Sequence, residues 1–150
     1  MRTGLSKVAG IIALATVVIA ASQTAYAEEI ALPAPAANAV KAAFPGATVS
    51  EIERENENGV LLYEVELKQN GAEIDVKVMA DGTIVEVESK IAAKDLPAAV
   101  AKAVEKAAPG ATIKEVERKE IRAALKAGKV VKLAKPEVVY EVEVVKDGKE

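Results

Sequence analysis

The stretch FPGATVSEIER at residues 44–54 decides the fold, because nearly the same letters return as APGATIKEVER at residues 108–118. The second copy begins 64 positions after the first, at residue 108 against residue 44. An Ala-rich segment with a Leu-Pro pair near its start precedes each copy, and alternating apolar and polar residues follow. Self-similarity at a fixed spacing predicts that one small structural unit is used twice.

The two Ala-rich segments are predicted to form helices at about residues 33–44 and 97–108. In the second of them Val100, Val104 and Ala107 are spaced so that they share one side of a helix. Proline is favoured in the first turn of a helix, and a Pro-Gly pair stops one, which fixes both ends of each segment. Alanine favours helix and allows a helix to pack closely on a sheet.

Each helix is followed by residues with the period of two that β-strands show. In the repeated phrase, one side is predicted to carry Thr48, Ser50, Ile52 and Arg54, and the other Val49, Glu51 and Glu53. Both copies of this strand have a weakly apolar face, which favours a place at a sheet edge or a twisted strand.

The rest of the first unit predicts a meander with one apolar face and one charged face. The side chains expected to face inward are Leu61, Tyr63, Val65, Leu67, Ile74, Val76 and Val78. Those expected to face outward are Glu64, Glu66, Lys68, Glu73, Asp75 and Lys77. Asn70-Gly71 and Asp81-Gly82 predict tight hairpin turns. The unit is therefore a helix and four antiparallel strands, with the helix over the apolar face.

The second unit departs from the first after the repeated phrase. VVYEVEVVKDG at 138–148 matches LLYEVELKQNG at 61–71, so the spacing has grown to 77 and an insert lies near residues 119–136. Within it, Ile121, Ala124 and Leu125 followed by Gly128 slightly favour a short helix, with a long irregular hairpin as the alternative. The unit is also predicted to lack its last hairpin. Either the chain is truncated or another chain supplies the strands, and an unpaired edge favours oligomers.

The first 27 residues carry the features of a secretory signal peptide. Arg2 and Lys7 precede the apolar run Val8–Ala21, and Ala25-Tyr26-Ala27 fits a cleavage site. The run is shorter than the roughly 20 residues that a membrane-spanning helix requires. We therefore expect export to the periplasm or medium with no stable membrane span after cleavage. A first repeat is expected at residues 28–90 and a second at 91–150.

Composition excludes several classes of function. The chain contains no Cys and no His, so the common catalytic triads and cysteine nucleophiles are absent. After loss of the signal peptide, 18 basic and 23 acidic residues remain, a net charge of −5 that disfavours nucleic acid as a partner. No phosphate-binding glycine loop or zinc-ligand spacing occurs. We expect neither enzymatic activity nor a cofactor.

Pairs of acidic residues are the remaining chemical feature. Glu64 with Glu66 and Glu73 with Asp75 could in principle perform acid–base chemistry or hold calcium. Acidic residues at alternate positions are also expected on the solvent-exposed face of a half-buried sheet, and this is the simpler interpretation. The candidate contact residues on that side are Glu64, Glu66, Glu73, Asp75, Lys77, Glu141 and Glu143.

Several short motifs resemble the PepSY-like family of exported bacterial domains. They are Leu96-Pro97, Pro109-Gly110-Ala111-Thr112, Tyr140-Glu141-Val142-Glu143 and Asp147-Gly148, with their counterparts in the first copy. The resemblance covers roughly residues 31–90 and part of 95–148. It implies an α+β fold of tandem helix plus antiparallel four-stranded sheet units, the second incomplete, similar in architecture to the secreted beta-lactamase inhibitor protein. It also implies binding or restraint of peptidases, or a periplasmic accessory role, and names no catalytic residue.

The sequence thus predicts an exported, non-enzymatic binding module, either peptidase-inhibitor-like or an envelope accessory protein. A protein or peptide partner would meet its solvated sheet face or a strand edge. The alternative hypothesis is a periplasmic sensor of a cation or small ligand that uses the acidic face.

Overall fold

The computed structural model describes residues 30–146, so the predicted signal peptide and the Asp147-Gly148 turn lie outside the described residues. A 3₁₀ turn at Ala93–Asp95 precedes the second helix. The helices are α1 (Ala34–Ala43) and α2 (Ala98–Ala107), and the strands are β1 (Thr48–Glu57), β2 (Val60–Gln69), β3 (Ala72–Val78), β4 (Ile84–Lys90), β5 (Thr112–Lys126) and β6 (Lys129–Val145). Neither helix is long and apolar enough to cross a bilayer.

The six strands form one antiparallel sheet in chain order, with β1 and β6 at its edges. Pairing of β4 with β5 joins the two repeats, which therefore share a sheet. The α+β prediction is confirmed. The predicted arrangement of four-stranded units is matched by β1–β4 only, and β5 and β6 extend the same sheet. Of the two alternatives predicted for these strands, an edge position holds for β1, whereas β5 lies between β4 and β6.

Both helices occur where the Ala-rich segments predict them. Pro33 and Pro97 stand immediately before α1 and α2, and positive-φ glycines, Gly46 and Gly110, follow them. Proline preorganises the first turn, and glycine accepts the left-handed backbone that ends a helix without a Cβ penalty. The two helices differ in packing, because α1 buries Ala36 and Val40 whereas α2 has no fully buried residue.

The main core lies between α1 and the middle strands of the sheet. Ala36 and Val40 of α1 pack on a cluster of buried strand residues, namely Tyr63, Val65, Leu67, Val76 and Val78. These are the side chains that the period of two predicts to face inward. Leu61 shares their side of β2 but lies outside the cluster and stays 50% exposed, so its predicted place facing the core is wrong.

A second apolar cluster lies on the opposite, charged face of the sheet, which the sequence did not predict. Leu62 is fully buried there with Val60, Val85 and Ala123. Val85 reaches this side because the register of β3 and β4 shifts beside it. The charged face therefore has its own small core where the β1–β2 and β5–β6 hairpins end.

A β-bulge interrupts the alternation of both copies of the repeated phrase. The register shifts between Val49 and Glu51 in β1, and between Ile113 and Glu115 in β5. The extra residue places Val49 on the same face as Ile52, since their partners Leu67 and Val65 both face α1. The strict alternation predicted for residues 48–54 is therefore wrong at the bulge, and all acids of β1 face away from α1.

The helix predicted within residues 119–136 is wrong, and the alternative hairpin is what forms. Strand β5 continues to Lys126, and β6 begins at Lys129 after a two-residue turn. Ala127 and Gly128 both have positive φ, as a tight hairpin turn requires. The insert lengthens the hairpin, and a second bulge after Ile121 absorbs the mismatch with the longer β6.

The sheet curves around its charged face. The backbone N–H of Gly128 donates a 2.8 Å hydrogen bond to the carbonyl oxygen of Asn58, so the tips of the β1–β2 and β5–β6 hairpins touch. Strands β3 and β4 lie between these hairpins in the sheet and end earlier. Because the second apolar cluster lies beneath the joined tips, the hairpins bend over the charged face. This face is therefore concave.

Candidate binding surface on the concave face

The concave face carries most of the acidic side chains of the sheet. We use this name for the side of the six strands that faces away from α1. Its acidic members are Glu51, Glu53, Glu55, Glu57, Glu64, Glu66, Glu73, Asp75, Glu86, Glu88, Glu115, Glu117, Glu137, Glu141 and Glu143. They share one face because cross-strand partners in an antiparallel pair point to the same side of the sheet.

Two depressions lined by carboxylates lie on the concave face. The first has a volume of about 260 Å³ and is lined by Glu51, Glu53, Glu64, Glu66 and Asp75. The second has a volume of about 160 Å³ and is lined by Glu115, Glu117, Glu141 and Glu143. Four glutamates of each occupy equivalent positions of the two repeats. The duplication has therefore produced the same acidic feature twice on one surface.

Two lysines hold the carboxylates between the depressions. The Nζ atom of Lys77 lies 3.5–4.0 Å from carboxylate oxygens of Glu55, Glu57, Glu86 and Glu88. The Nζ atom of Lys119 lies 2.9 Å from Glu141, 3.0 Å from Glu88 and 3.8 Å from Glu117.

These contacts change the acid–base properties of both lysines. Burial lowers the pKa of Lys77, but the surrounding glutamates outweigh it and hold the pKa above its ordinary value. The pKa of Lys119 is raised in the same way, against burial, by Glu141 and Glu88. Both cations are therefore fixed parts of the sheet at any physiological pH.

Two glutamates of the concave face bind protons unusually tightly. Burial and a hydrogen bond with Glu55 raise the pKa of Glu64 to about 7. Burial and a hydrogen bond with Glu88 raise the pKa of Glu86 to about 7. The pKa of Asp75 is also raised, by burial and by the charges of neighbouring glutamates. Burial, together with the neighbouring acids, thus leaves part of this surface protonated near neutral pH.

We expect the free energy of unfolding to fall as pH rises from 5 to 8. The carboxyls of Glu64 and Glu86 have an ordinary pKa of 4.5 and a folded-state pKa of about 7. Their contribution to stability is fully present below pH 4.5 and is lost as pH rises through about 7. Urea unfolding at several pH values measures this slope. The Glu64→Gln/Glu86→Gln variant should show a flatter dependence, and an equal slope in both proteins would contradict the assignment.

The structure brings most of the predicted contact residues to the two depressions. Glu64, Glu66 and Asp75 line the first, and Glu141 and Glu143 line the second. Lys77 does not line either depression, because the four glutamates named above surround it. Glu73 is exposed beside Lys68 near the β2–β3 turn and lines neither depression.

Among the described residues, nine carboxylates line the two depressions, and sequence reasoning did not select four of them as contact residues. Glu51 and Glu53 come from the first copy of the repeated phrase, and Glu115 and Glu117 come from the second. The signal that could have found them is their occurrence at equivalent positions 64 residues apart. In residues 30–146, no three carboxylates are grouped so that they could hold a metal ion.

Solved structures with the same fold come from three Bacteroides species. A protein from Bacteroides eggerthii described as a "putative periplasmic" protein superimposes with a TM-score of 0.58 at 17% identity, over 78% of this chain and 74% of that one. A DUF2874 family protein from Bacteroides uniformis gives 0.57 at 18% identity, over 77% and 73%. A BLIP-like protein from Bacteroides fragilis gives 0.51 at 21% identity, over 81% and 84%. At these identities the likeness concerns the fold.

Two family models match the sequence, and together they cover both repeats. The PepSY model, described as "Peptidase propeptide and YPEB domain", matches residues 27–88. The PepSY-like model, described as "Putative beta-lactamase-inhibitor-like, PepSY-like", matches residues 70–149, which is more than half of the chain. No curated protein matches the chain. The chain belongs to the PepSY-like family.

Proposed function

We propose that this protein is an exported, non-enzymatic binding module of the cell envelope, and that its concave face binds a basic surface of a protein partner. The observation that carries the proposal is the pair of equivalent acidic depressions on one curved surface. A partner with two clusters of Lys or Arg would meet both. Charge complementarity of this kind favours correct encounter and excludes acidic partners.

The carboxyls with raised pKa values make cation binding to this surface dependent on pH. Glu64 and Asp75 line the first depression, and burial is the main cause of their raised pKa values. A positive charge placed beside them favours the ionised carboxylate and lowers the pKa again. Binding of a basic partner would therefore release protons, and we expect affinity to increase from pH 5 to pH 8.

The arrangement of the acids supports a binding role over a catalytic one. Enzyme sites are usually enclosed clefts in which a few polar groups converge. Here the carboxylates are spread along six strands of an open face, and the chain offers no Cys or His as a nucleophile or base. An inhibitor-like protein requires only a stable surface that fits its target.

Family and sequence support the predicted location. The first residues have the pattern of a secretory signal peptide. One relative of the same fold is described as a "putative periplasmic" protein, and another as BLIP-like. The family description itself names beta-lactamase-inhibitor-like proteins.

A peptidase or another envelope enzyme with a basic surface is the class of partner we propose.

Capture from an envelope extract tests the proposed function. The mature chain, immobilised and washed at low salt, is expected to retain a partner that elutes as salt rises. The variant with Glu64, Glu66, Glu141 and Glu143 changed to Gln should retain at least about tenfold less of it. A control variant with Asp95→Asn and Glu105→Gln, which lie outside the concave face, should retain as much as the unchanged chain. Equal retention by all three proteins would contradict the proposal.

A further inference from the structure

We propose that the free edge of β1, together with the groove between α1 and β1, binds an extended protein segment by antiparallel strand addition. The segment would alternate apolar residues, which enter the groove, with Lys or Arg, which face the acids of β1. The inference adds a second surface to the proposed binding function and shares Glu51 and Glu53 with the concave face.

An apolar groove lies beside the open edge. It has a volume of about 430 Å³. On one side it is lined by Val40 of α1 and by Phe44, which follows the helix, and on the other by Val49, Ile52 and Leu67 of the sheet. Val49 is 47% exposed. The bulge in β1 is what turns Val49 toward this groove, so that two apolar residues of the edge strand face it.

The backbone edge beside the groove is available for pairing. Within residues 30–146, β1 pairs with β2 on one side and with no strand on the other. A strand edge of this kind is a template for another extended chain, and alternate side chains of that chain enter pockets on one face.

The molecule already contains the proposed arrangement in its other repeat. There, β4 pairs antiparallel with β5, the strand equivalent to β1. Just beyond β4, the N–H of Ile91 donates a 3.0 Å hydrogen bond to the carbonyl oxygen of Val116, the equivalent of Ile52. The Nζ atom of Lys90 lies 3.1 Å from Glu115, the equivalent of Glu51. A basic residue followed by an apolar one thus fits this strand edge.

The charges on β1 indicate that a strand added at its edge carries basic residues. Lys119 of β5 forms an ion pair with Glu88 of the neighbouring strand β4. The equivalent position of β1 is occupied by Glu55. The concave side of β1 is therefore uniformly acidic, with Glu51, Glu53, Glu55 and Glu57. Lys77 already contacts Glu55 and Glu57, so basic residues of an added strand would face Glu51 and Glu53.

The probe for this inference is an acetylated peptide of about nine residues in which lysine and valine alternate, a usual strand length. We expect calorimetry to detect binding, and hydrogen exchange of amides in β1 to slow when the peptide is present. A peptide with glutamate in place of lysine should not bind. The Glu51→Lys/Glu53→Lys variant should reverse this preference and lose at least about tenfold in affinity for the lysine peptide.

A matched charge variant separates this surface from a general effect of charge. Asp95→Lys/Glu105→Lys makes the same charge change outside both surfaces, and we expect the lysine peptide to bind it within about twofold of the unchanged chain. Val49→Ser, at a half-exposed position, should weaken binding about tenfold without a change in charge. Absence of binding, slowed exchange elsewhere than β1, or an equal effect of both charge variants would overturn the inference. None of these results would alter the capture experiment, which tests Glu64, Glu66, Glu141 and Glu143.

Discussion

Replacement of Leu62 with alanine is expected to lower the free energy of unfolding by about 3 kcal/mol, the usual cost of truncating a buried leucine. Leu62 has no exposed surface and lies in the small apolar cluster on the concave face, with Val60, Val85 and Ala123. The cavity left behind lies beneath the joined hairpin tips, so the hydrogen bond between Gly128 and Asn58 should weaken as well. Urea unfolding measures the loss.

The neighbouring residue provides the matched control for this prediction. Leu61 has the same side chain but is 50% exposed, so Leu61→Ala should cost about 0.5 kcal/mol or less. An opposite ranking, with Leu61→Ala the more damaging, would show that α1 covers a different register of β2. It would also show that Leu62 is not part of an apolar core on the concave face. The curvature of the sheet would then have no explanation in packing.

Replacement of Lys77 with methionine is expected to cost about 2 kcal/mol at pH 8, because a partly buried cation is removed from among carboxylates that remain. The Lys77 side chain is 18% exposed, and four glutamates lie within 4.0 Å of its Nζ atom. Methionine keeps the length and the apolar stem, so the change isolates the charge. Lys77 opposes the raised pKa of Glu86, so without the cation that pKa rises further, and the loss should shrink as pH falls from 8 to 5.

An exposed lysine of the same face supplies the control. Lys68 is 58% exposed and lies 3.9 Å from Glu66, so Lys68→Met should change the free energy of unfolding by less than about 0.5 kcal/mol at either pH. If Lys77→Met proves as mild as Lys68→Met, the glutamates around Lys77 do not depend on it. The sheet backbone, Lys119 and the second apolar cluster would then hold the concave face together.

Much of the fold could be predicted because the repeated phrase and the period of two are local signals. The proline before each helix and the Pro-Gly after it fix the ends of α1 and α2 within about a residue of their observed places. Apart from Leu61, the inward side chains of β2 and β3 follow from alternation alone. These features depend on residues a few positions apart, which a single sequence shows directly.

The errors arise where partners distant in sequence decide the structure. The spacing of Ile121, Ala124 and Leu125 favours a helix, yet the segment pairs with β6 because a neighbouring strand satisfies its backbone groups. The bulge beside Ser50 moves Val49 to the other face, and only the register with β2 reveals it. Burial of Leu62 depends on Val85 and Ala123, which other strands bring to it.

The sequence predicted that the candidate surface is acidic, but it did not show how many strands contribute to it. The acids of β2, β3 and β6 could be chosen because they alternate with apolar residues in the sequence. The acids of β1 and β5 could be chosen only by recognising that Glu51 and Glu115 are equivalent, and that their strands border the same curved face. The curvature itself depends on the hydrogen bond between Gly128 and Asn58. These residues belong to two hairpin turns that are far apart in the chain.

Protection of single cysteines in the complex with a captured partner tests the central claim most directly, since the natural chain has no cysteine of its own. Glu66→Cys places a thiol in the first acidic depression, and Lys102→Cys places one on the exposed surface of α2. Our account predicts that the partner slows maleimide labelling at position 66 by at least about tenfold and leaves position 102 unchanged, as expected of an interface that excludes water. Protection at position 102 with free labelling at position 66 would contradict it.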